Sequence, residues 1–228
     1  IKKFWPEKAP SINIVQKYVS KYEKEKIVIK YGGNVLIDRS VFNNFISDIN
    51  VLNKLGLSII VVHGGGPRIK RELEKKKIVS KFINGLRVTN KDIIDTVEEV
   101  LIDFNTDIVT SLKKLGSDAV SFHTKNNNII EVEPEREELG FVGIPKKINS
   151  DLIEDALYKN KIPIIAPLGL GKNDQTFNIN GDTAASSIAQ KLKSRRLILM
   201  TNVEGVYDDK KNLIPEIKPF DLENLIKW

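Results

Sequence analysis

The chain has 228 residues, a formal net charge of +6, and a composition that is 41% hydrophobic and 29% charged. These figures are typical of a globular protein with one large domain or two small ones, and they exclude wholesale disorder. The chain has no cysteine and its only imidazoles are His63 and His123, which excludes disulfide scaffolds, thiol nucleophiles and histidine-rich metal sites.

The first predicted element is a helix ahead of the first strand. Pro10 and Ser11 can start it, and apolar side chains then recur at helical spacing, namely Ile14, Val15, Tyr18, Val19 and Tyr22. This apolar stripe packs either on its own domain or against another subunit, and the pattern leaves both alternatives open. We therefore divide the chain into an N-terminal helical extension, residues 1–26, and a main domain, residues 27–228.

In the main domain, apolar segments alternate with helical patterns. Strands are predicted at residues 27–31, 57–63, 119–122, 162–167 and 196–201, and helices at about 40–55, 67–77, 91–114, 151–160 and 182–193. Four of the strands are short and almost continuously apolar, which favours burial on both faces of a parallel sheet. The alternation predicts an α/β fold with a central, mostly parallel sheet. Residues 128–145 are predicted to form a β-hairpin outside that sheet.

Glycines are concentrated where the predicted strands end, although the chain has neither a Walker A motif nor a GxGxxG fingerprint. In the segment KYGGN, Lys30 interrupts an apolar strand and is followed by Gly32 and Gly33. The glycines allow a ligand to approach the backbone, and Lys30 reaches either solvent or an anion, because burying it unpaired is costly.

The segment HGGGPR gives a stronger indication of anion binding. Gly64, Gly65 and Gly66 lie between a buried strand and a helix that Pro67 opens. Unpaired backbone N–H groups at the positive end of a helix form an anion site, and a simple tight turn seldom needs three glycines.

Two further segments carry polar side chains. The loop after residues 162–167 leads into a helix and contains three polar residues near the helix start, namely Asn178, Asn180 and Asp182. Asp182 is either a plain N-cap or a functional carboxylate. In NGLRVT, Arg87 is either an ordinary surface residue or a guanidinium for binding a carboxylate.

The ordered set KYGGN, VVHGGGPRI, NGLRVT, NINGDTAA and LILMTNVEGVYD resembles the amino-acid kinase family over residues 27–213. The resemblance implies a three-layer α/β/α sandwich of the carbamate kinase-like type. HGGGP and NGLRVT point to the family members that use ATP, with Mg²⁺, to phosphorylate the side-chain carboxylate of N-acetyl-L-glutamate in arginine biosynthesis. A sibling kinase that acts on another carboxylate stays open as the alternative.

The resemblance also implies a role for each residue of the motifs. Lys30 would stabilise the transferring phosphoryl group, Asp182 would orient lysines, and backbone N–H groups of Gly32, Gly33 and Gly65 would bind phosphate. Gly65, Gly66, Arg87 and Asn178 would bind the acetylglutamate. The nucleotide side would consist of Thr201, Asn202, Val203, Gly205, Val206 and Tyr207.

Two departures from the family pattern stand out. Asn202 occupies a position where the family commonly has Asp, and a second catalytic lysine, usual in a GGMxxK segment, should follow about where the chain stops. Because the chain also starts with Ile1 rather than Met, we expect that it is incomplete at both ends. In this family an extension ahead of the first strand accompanies hexamers that arginine inhibits, so we expect a homo-oligomer with arginine feedback inhibition.

Two readings from other classes of protein compete with a kinase. The sequence pI of about 9.2 suggests a nucleic-acid-binding module, but the lysines alternate with acids and no aromatic platform is present, so we expect no nucleic-acid partner. An inactive kinase fold that serves as a binding module is the other alternative. No apolar run reaches about 18 residues and the first residues lack a secretory signal, so we expect a cytoplasmic protein without a membrane span.

Overall fold

The computed structural model describes residues 10–32 and 38–222, and its elements alternate along the chain as predicted. Within these ranges the α-helices are α1 (Ile12–Tyr22), α2 (Arg39–Lys54), α3 (Gly66–Lys75), α4 (Lys91–Lys114), α5 (Ser150–Tyr158) and α6 (Gly181–Lys191). The central sheet contains β1 (Lys26–Tyr31), β2 (Ser58–His63), β5 (Ala119–Phe122), β8 (Ile162–Ile165) and β11 (Arg196–Met200). The other strands are β3 (Phe82–Ile83), β4 (Leu86–Arg87), β6 (Ile130–Pro134), β7 (Gly143–Ile148), β9 (Leu168–Leu170), β10 (Thr176–Asn178), β12 (Val206–Tyr207) and β13 (Leu213–Ile214).

The central sheet has the strand order β11-β1-β2-β8-β5, and every neighbouring pair is parallel. One apolar core joins one face of the sheet to α2 and α4, and a second core joins the other face to α5 and α6. The predicted three-layer α/β/α sandwich with a parallel sheet is therefore confirmed. Because all strands point the same way, their carboxyl ends meet at one edge of the sheet.

The alternation of side chains along β1 decides where its lysine lies. Ile29 and Tyr31 belong to the core under α2 and α4, whereas Val28 belongs to the core under α5 and α6. Successive side chains of a strand point to opposite faces, so Lys30 lies on the same face as Val28, toward α6. Tyr31 anchors the end of the strand on the other face, where its ring stacks on Phe45 with a centroid separation of 3.7 Å.

The starts of α2 and α4 are capped by side chains of the residues that precede them. Asp38 accepts hydrogen bonds from two backbone N–H groups at the start of α2, and Asn90 accepts one from Ile93 at the start of α4. These caps satisfy N–H groups that have no partner within the helix, which explains why the helices begin where they do.

The predicted β-hairpin is confirmed, and the structure adds strands to it. The strands β6 and β7 pair antiparallel, and together with β9 and β10 they form a second sheet in the order β10-β9-β6-β7. The predicted strand at residues 162–167 is too long, because β8 ends at Ile165 and the chain then crosses to the second sheet as β9. The stretch predicted as a polar loop contains β10, so Asn178 lies on a strand.

Helix α1 divides its apolar stripe between two environments. Val19 and Tyr22 pack against the core under α2, and the Tyr22 hydroxyl accepts a hydrogen bond from Arg196 at 3.2 Å. Ile14 and Tyr18 remain 55% and 58% exposed. Packing of the helix on its own domain is thus confirmed for part of the stripe, and the rest of the stripe is left uncovered.

Strand β11 differs from the other strands of the central sheet in its burial. Leu197, Ile198 and Leu199 are 37%, 45% and 46% exposed, whereas β1, β2 and β8 are largely buried. β11 pairs only with β1 and forms one edge of the sheet, but edge position alone does not explain the exposure, because β5 at the other edge keeps Ala119 and Phe122 buried. No helix in the described ranges is long and apolar enough to cross a membrane.

Candidate active site

A cavity of about 210 Å³ opens at the carboxyl ends of β1 and β2, and the β3–β4 hairpin forms part of its wall. It brings together residues from all of the predicted site segments that precede β11, namely Lys30, Gly32, Gly65, Gly66, Arg87, Asn178 and Asp182. Gly33, the other predicted phosphate-binding glycine, lies outside the described residues. The parallel arrangement of the strands is what collects segments that are far apart in the sequence.

Lys30 and Asp182 form an ion pair on the α6 side of the cavity. The Lys30 Nζ atom lies 3.0 Å from Asp182 Oδ1, and the two side chains are 13% and 53% exposed. Lys30 is therefore not a solvated surface lysine. An ammonium group that is this buried needs a counter-charge, and Asp182 supplies one while leaving the group at the cavity wall.

The start of α6 shows that Asp182 is not the helix cap. The side chain of Asn180 accepts hydrogen bonds from the N–H groups of Asp182 and Thr183, at 2.9 Å and 3.1 Å. The plain N-cap alternative for Asp182 is therefore wrong. Because Asn180 caps the helix, the Asp182 carboxylate pairs with Lys30 instead.

Gly32 makes room for the lysine. A Cβ atom at this position would lie 2.5 Å from Lys30 Nζ and 2.6 Å from its Cε. Any larger residue would displace the end of the Lys30 side chain. The first of the two predicted glycines thus has a steric role that the sequence pattern did not indicate.

The glycine loop after β2 presents backbone donors to the cavity. Helix α3 begins at Gly66, so Pro67 is its second residue and not its first as predicted. A Cβ atom on Gly65 would lie 2.6 Å from Leu101 Cδ2, so glycine is required for the close approach to α4. Among residues 10–32 and 38–222, no acceptor pairs with the N–H groups of Gly65 and Gly66. This arrangement is suited to binding an anion.

Arg87 is buried, with only 8% of its surface exposed. Its guanidinium donates a hydrogen bond to Ser80 Oγ, lies 4.7 Å from the centre of the Phe82 ring, and contacts Gly66 O at 3.5 Å. Burial lowers the pKa of the guanidinium, which remains a cation because arginine is not deprotonated in proteins. The surface alternative for Arg87 is therefore wrong, and the structure places a partly desolvated cation at the cavity wall.

Asn178 is the last residue of β10, and its backbone N–H donates to Phe141 O at 2.9 Å. In the described part of the chain its side-chain amide, which lines the cavity, has no hydrogen-bond partner. An amide held on a strand beside an arginine is suited to a ligand that carries both a carboxylate and an amide.

The structure adds two residues around Arg87 that sequence reasoning did not select. The ring of Phe82 packs against the guanidinium of Arg87 and lines the cavity, and Ser80 accepts a hydrogen bond from the same guanidinium. No local sequence pattern indicates these two residues, because the turn between β3 and β4 is what brings Arg87 next to them. Asn180 was singled out in the sequence as a polar residue of its loop but not as the cap of α6, although Asn is a preferred N-cap residue just ahead of a helical run.

The predicted nucleotide-side residues lie beyond the cavity. Thr201, Asn202, Val203, Gly205, Val206 and Tyr207 are all exposed, and all are absent from the cavity wall. They follow β11, whose last residue pairs with Tyr31 of β1, so the segment starts at the same edge of the sheet as the glycine loops. The described residues contain no cluster of three or more His, Asp or Glu side chains that could hold a metal ion.

The chain belongs to the amino acid kinase family, which matches residues 25–227. The acetylglutamate kinase of Pelagibacter ubique (strain HTCC1062) is 52% identical over 221 residues, which are 97% of this chain and 77% of that protein. The structure of smu.665 from Streptococcus mutans UA159 is 34% identical, with a TM-score of 0.74 that covers 81% of this chain and 75% of the other. A carbamate kinase from Giardia lamblia shares the fold, with 16% identity and a TM-score of 0.58 over 83% of this chain and 75% of its own. The predicted fold and family are confirmed.

Proposed function

We propose that this protein uses ATP, with Mg²⁺, to phosphorylate the side-chain carboxylate of N-acetyl-L-glutamate, in arginine biosynthesis. The observation that carries the proposal is one cavity lined by the Lys30–Asp182 pair, the Gly65 and Gly66 N–H groups, Arg87 and Asn178. The Pelagibacter ubique relative, which is 52% identical, is an acetylglutamate kinase.

The reacting groups fit the demands of phosphoryl transfer. This reaction needs positioning and charge stabilisation more than a nucleophile from the protein. The acceptor is a carboxylate, so it needs no general base. We assign Lys30 and the N–H groups of Gly32, Gly33 and Gly65 to the charge on the moving phosphoryl group, where preorganised donors have their largest effect.

Asp182 has a different role in this proposal. Its carboxylate lies 3.0 Å from Lys30 Nζ and would keep the ammonium group aimed into the cavity. Since Asn180 caps α6, the carboxylate can also hold a second cation that approaches the same place.

Arg87 and Asn178 would hold the acetylglutamate. The guanidinium of Arg87 is fixed by Ser80 and Phe82, so little conformational entropy is lost when it binds a carboxylate of the substrate. Asn178 would pair with the acetylamino group through its side-chain amide. The residues from Thr201 to Tyr207 would face the nucleotide, and Mg²⁺ would supply positive charge at its phosphates.

A comparison of acceptors tests this function. We expect the complete gene product to release ADP from ATP in the presence of N-acetylglutamate and much more slowly with glutamate, aspartate, carbamate or UMP. The reason is that Arg87 and Asn178 together select an acceptor with both a carboxylate and an amide. A coupled ADP assay, with each acceptor omitted in turn as the control, measures the rates. Preference for carbamate or UMP would contradict the proposal.

We also propose that the uncovered part of the α1 stripe contacts another subunit in a homo-oligomer. We further propose that the protein is cytoplasmic and that arginine inhibits it. Ile14 and Tyr18 are 55% and 58% exposed, and an apolar stripe of this kind is costly to leave in water. We expect Ile14→Asp combined with Tyr18→Asp to lower the oligomeric mass measured by light scattering. Tyr158→Asp is the matched control, because Tyr158 is 91% exposed at the end of another helix. An unchanged mass in the double variant would contradict this proposal.

A further inference from the structure

A buried histidine lies directly beside the glycine loop. His63 ends β2, is 0% exposed, and faces α4, where its ring meets the edge of Phe104 at a centroid distance of 5.1 Å. Its Nδ1 atom lies 3.0 Å from Gly64 O. A polar ring in a fully buried place is costly unless its nitrogens are paired, so both nitrogens need a hydrogen-bond partner.

The second ring nitrogen is paired with Asn105 of α4. Asn105 Nδ2 lies 3.2 Å from His63 Nε2 and also donates to Ile164 O at 2.9 Å. An amide nitrogen can only donate, so His63 Nε2 must accept. Turning the amide over would place Asn105 Oδ1 against the Ile164 carbonyl oxygen, which repels it. The contacts therefore define one tautomer of His63, in which Nδ1 carries the proton and donates to Gly64 O.

The ring is uncharged under ordinary conditions. Burial lowers the pKa of His63 to about 4, the positive charges of Arg68 and His123 act in the same direction, and the hydrogen bond to Gly64 opposes them only in part. A protonated ring would also present a second N–H to Asn105 Nδ2, which is itself a donor. Near neutral pH, His63 thus acts as one donor and one acceptor.

The bond to Gly64 has a consequence for the next residue. The C=O of Gly64 and the N–H of Gly65 belong to the same planar trans peptide and point in opposite directions. The Gly64 N–H is held as well, since it donates to Tyr31 O at 2.7 Å. With the Gly64 carbonyl held against His63, the Gly65 N–H points away from the histidine. Gly65 lines the cavity, and its N–H has no acceptor among the residues described.

We propose that His63, held in the Nδ1–H tautomer by Asn105, is a positioning residue that orients the Gly65 N–H toward the phosphoryl group. The proposal rests on the function proposed above, in which that N–H stabilises charge on the transferring group. His63 itself touches no reacting atom. It acts by preventing the Gly64–Gly65 peptide from rotating, so the donor is in place before the substrate arrives.

Two substitutions of His63 separate orientation from packing. His63→Asn keeps an N–H donor at the position of Nδ1, whereas His63→Gln moves the amide out to the position of Nε2 and leaves nothing to hold Gly64 O. Both variants lose the ring contact with Phe104, so both should have a lower Tm. We expect His63→Gln to lower kcat by roughly tenfold to a hundredfold, which is a smaller fall than complete removal of a hydrogen-bond donor causes. The kcat of His63→Asn should stay within about threefold of the wild-type value. The KM for ATP should change little in either variant.

Nitrogen-15 NMR of histidine-labelled protein gives a readout that is independent of activity. We expect a protonated, pyrrole-like Nδ1 and an unprotonated, pyridine-like Nε2 for His63, with His123→Gln used to assign the signals. An Nε2–H tautomer, or equal loss of kcat in the two His63 variants, would overturn the proposal. If the wild type does not phosphorylate N-acetylglutamate, the proposed function fails, and the spectra still decide the tautomer.

Discussion

We expect Lys30→Ala to lower kcat by on the order of 10²–10³-fold while the KM for N-acetylglutamate changes little. Lys30 is only 13% exposed and its ammonium group is held at the cavity wall by Asp182. A cation in such a place acts on charge that develops during the transfer, more than on the bound substrate. The acetylglutamate is held elsewhere in the cavity, by Arg87 and Asn178 in our proposal. Steady-state kinetics on the complete gene product measure both constants.

The same strand offers a matched control. Lys26 lies at the other end of β1, pairs with Glu154 at 2.7 Å, and is distant from the carboxyl edge of the sheet. Lys26→Ala should therefore leave kcat unchanged. Lys30→Arg should restore only part of the rate, because a planar guanidinium does not fit the space beside Gly32 that the compact ammonium occupies. A near-normal kcat for Lys30→Ala would remove this residue from the catalytic machinery.

The second large effect is expected for substrate binding. Arg87→Ala should raise the KM for N-acetylglutamate by about tenfold to a hundredfold, since a hydrogen bond to a charged group contributes roughly 1.5–3 kcal/mol. The KM for ATP should change much less, because the proposed nucleotide side lies beyond this cavity. Asn178→Ala should affect the same substrate. The KM values for the two substrates, measured side by side, check the prediction.

Controls for Arg87 have to separate binding from stability. Arg87 is buried and stacked on Phe82, so its removal also lowers Tm, which thermal unfolding measures directly. Arg136→Ala is the matched control, because Arg136 pairs with Glu138 at the surface and lies outside the cavity wall. Unchanged acetylglutamate kinetics in both Arg87→Ala and Asn178→Ala would show that these residues only support the fold.

Some elements were predictable from the sequence because they depend on near neighbours along the chain. The predicted bounds of β5 and α4 agree with the structure at both ends. β-Branched apolar runs and helical periodicity report on local conformation and on burial, which suffices to place such elements. The glycines after β1 and β2 were informative for the same reason. The roles given to individual residues came from the family resemblance and not from these patterns.

Other features depend on which strands become neighbours, and no local pattern encodes strand order. Nothing near Lys30 shows that Asp182 will lie beside it, and nothing near His63 shows that Asn105 will meet its ring. The chain also leaves the central sheet after Ile165, because β9 pairs with β6 and β10 in a second sheet.

By itself, the sequence determined the succession of helices and strands, the glycine loops at strand ends and the family. The tertiary structure decided that Arg87 is buried, that Asn180 and not Asp182 caps α6, and that Lys30 has a counter-charge. The physical reason is that burial, ion pairs and desolvation depend on distances in space. Those distances follow from the parallel strand order, which brings the carboxyl ends of β1 and β2 and the start of α6 to one cavity.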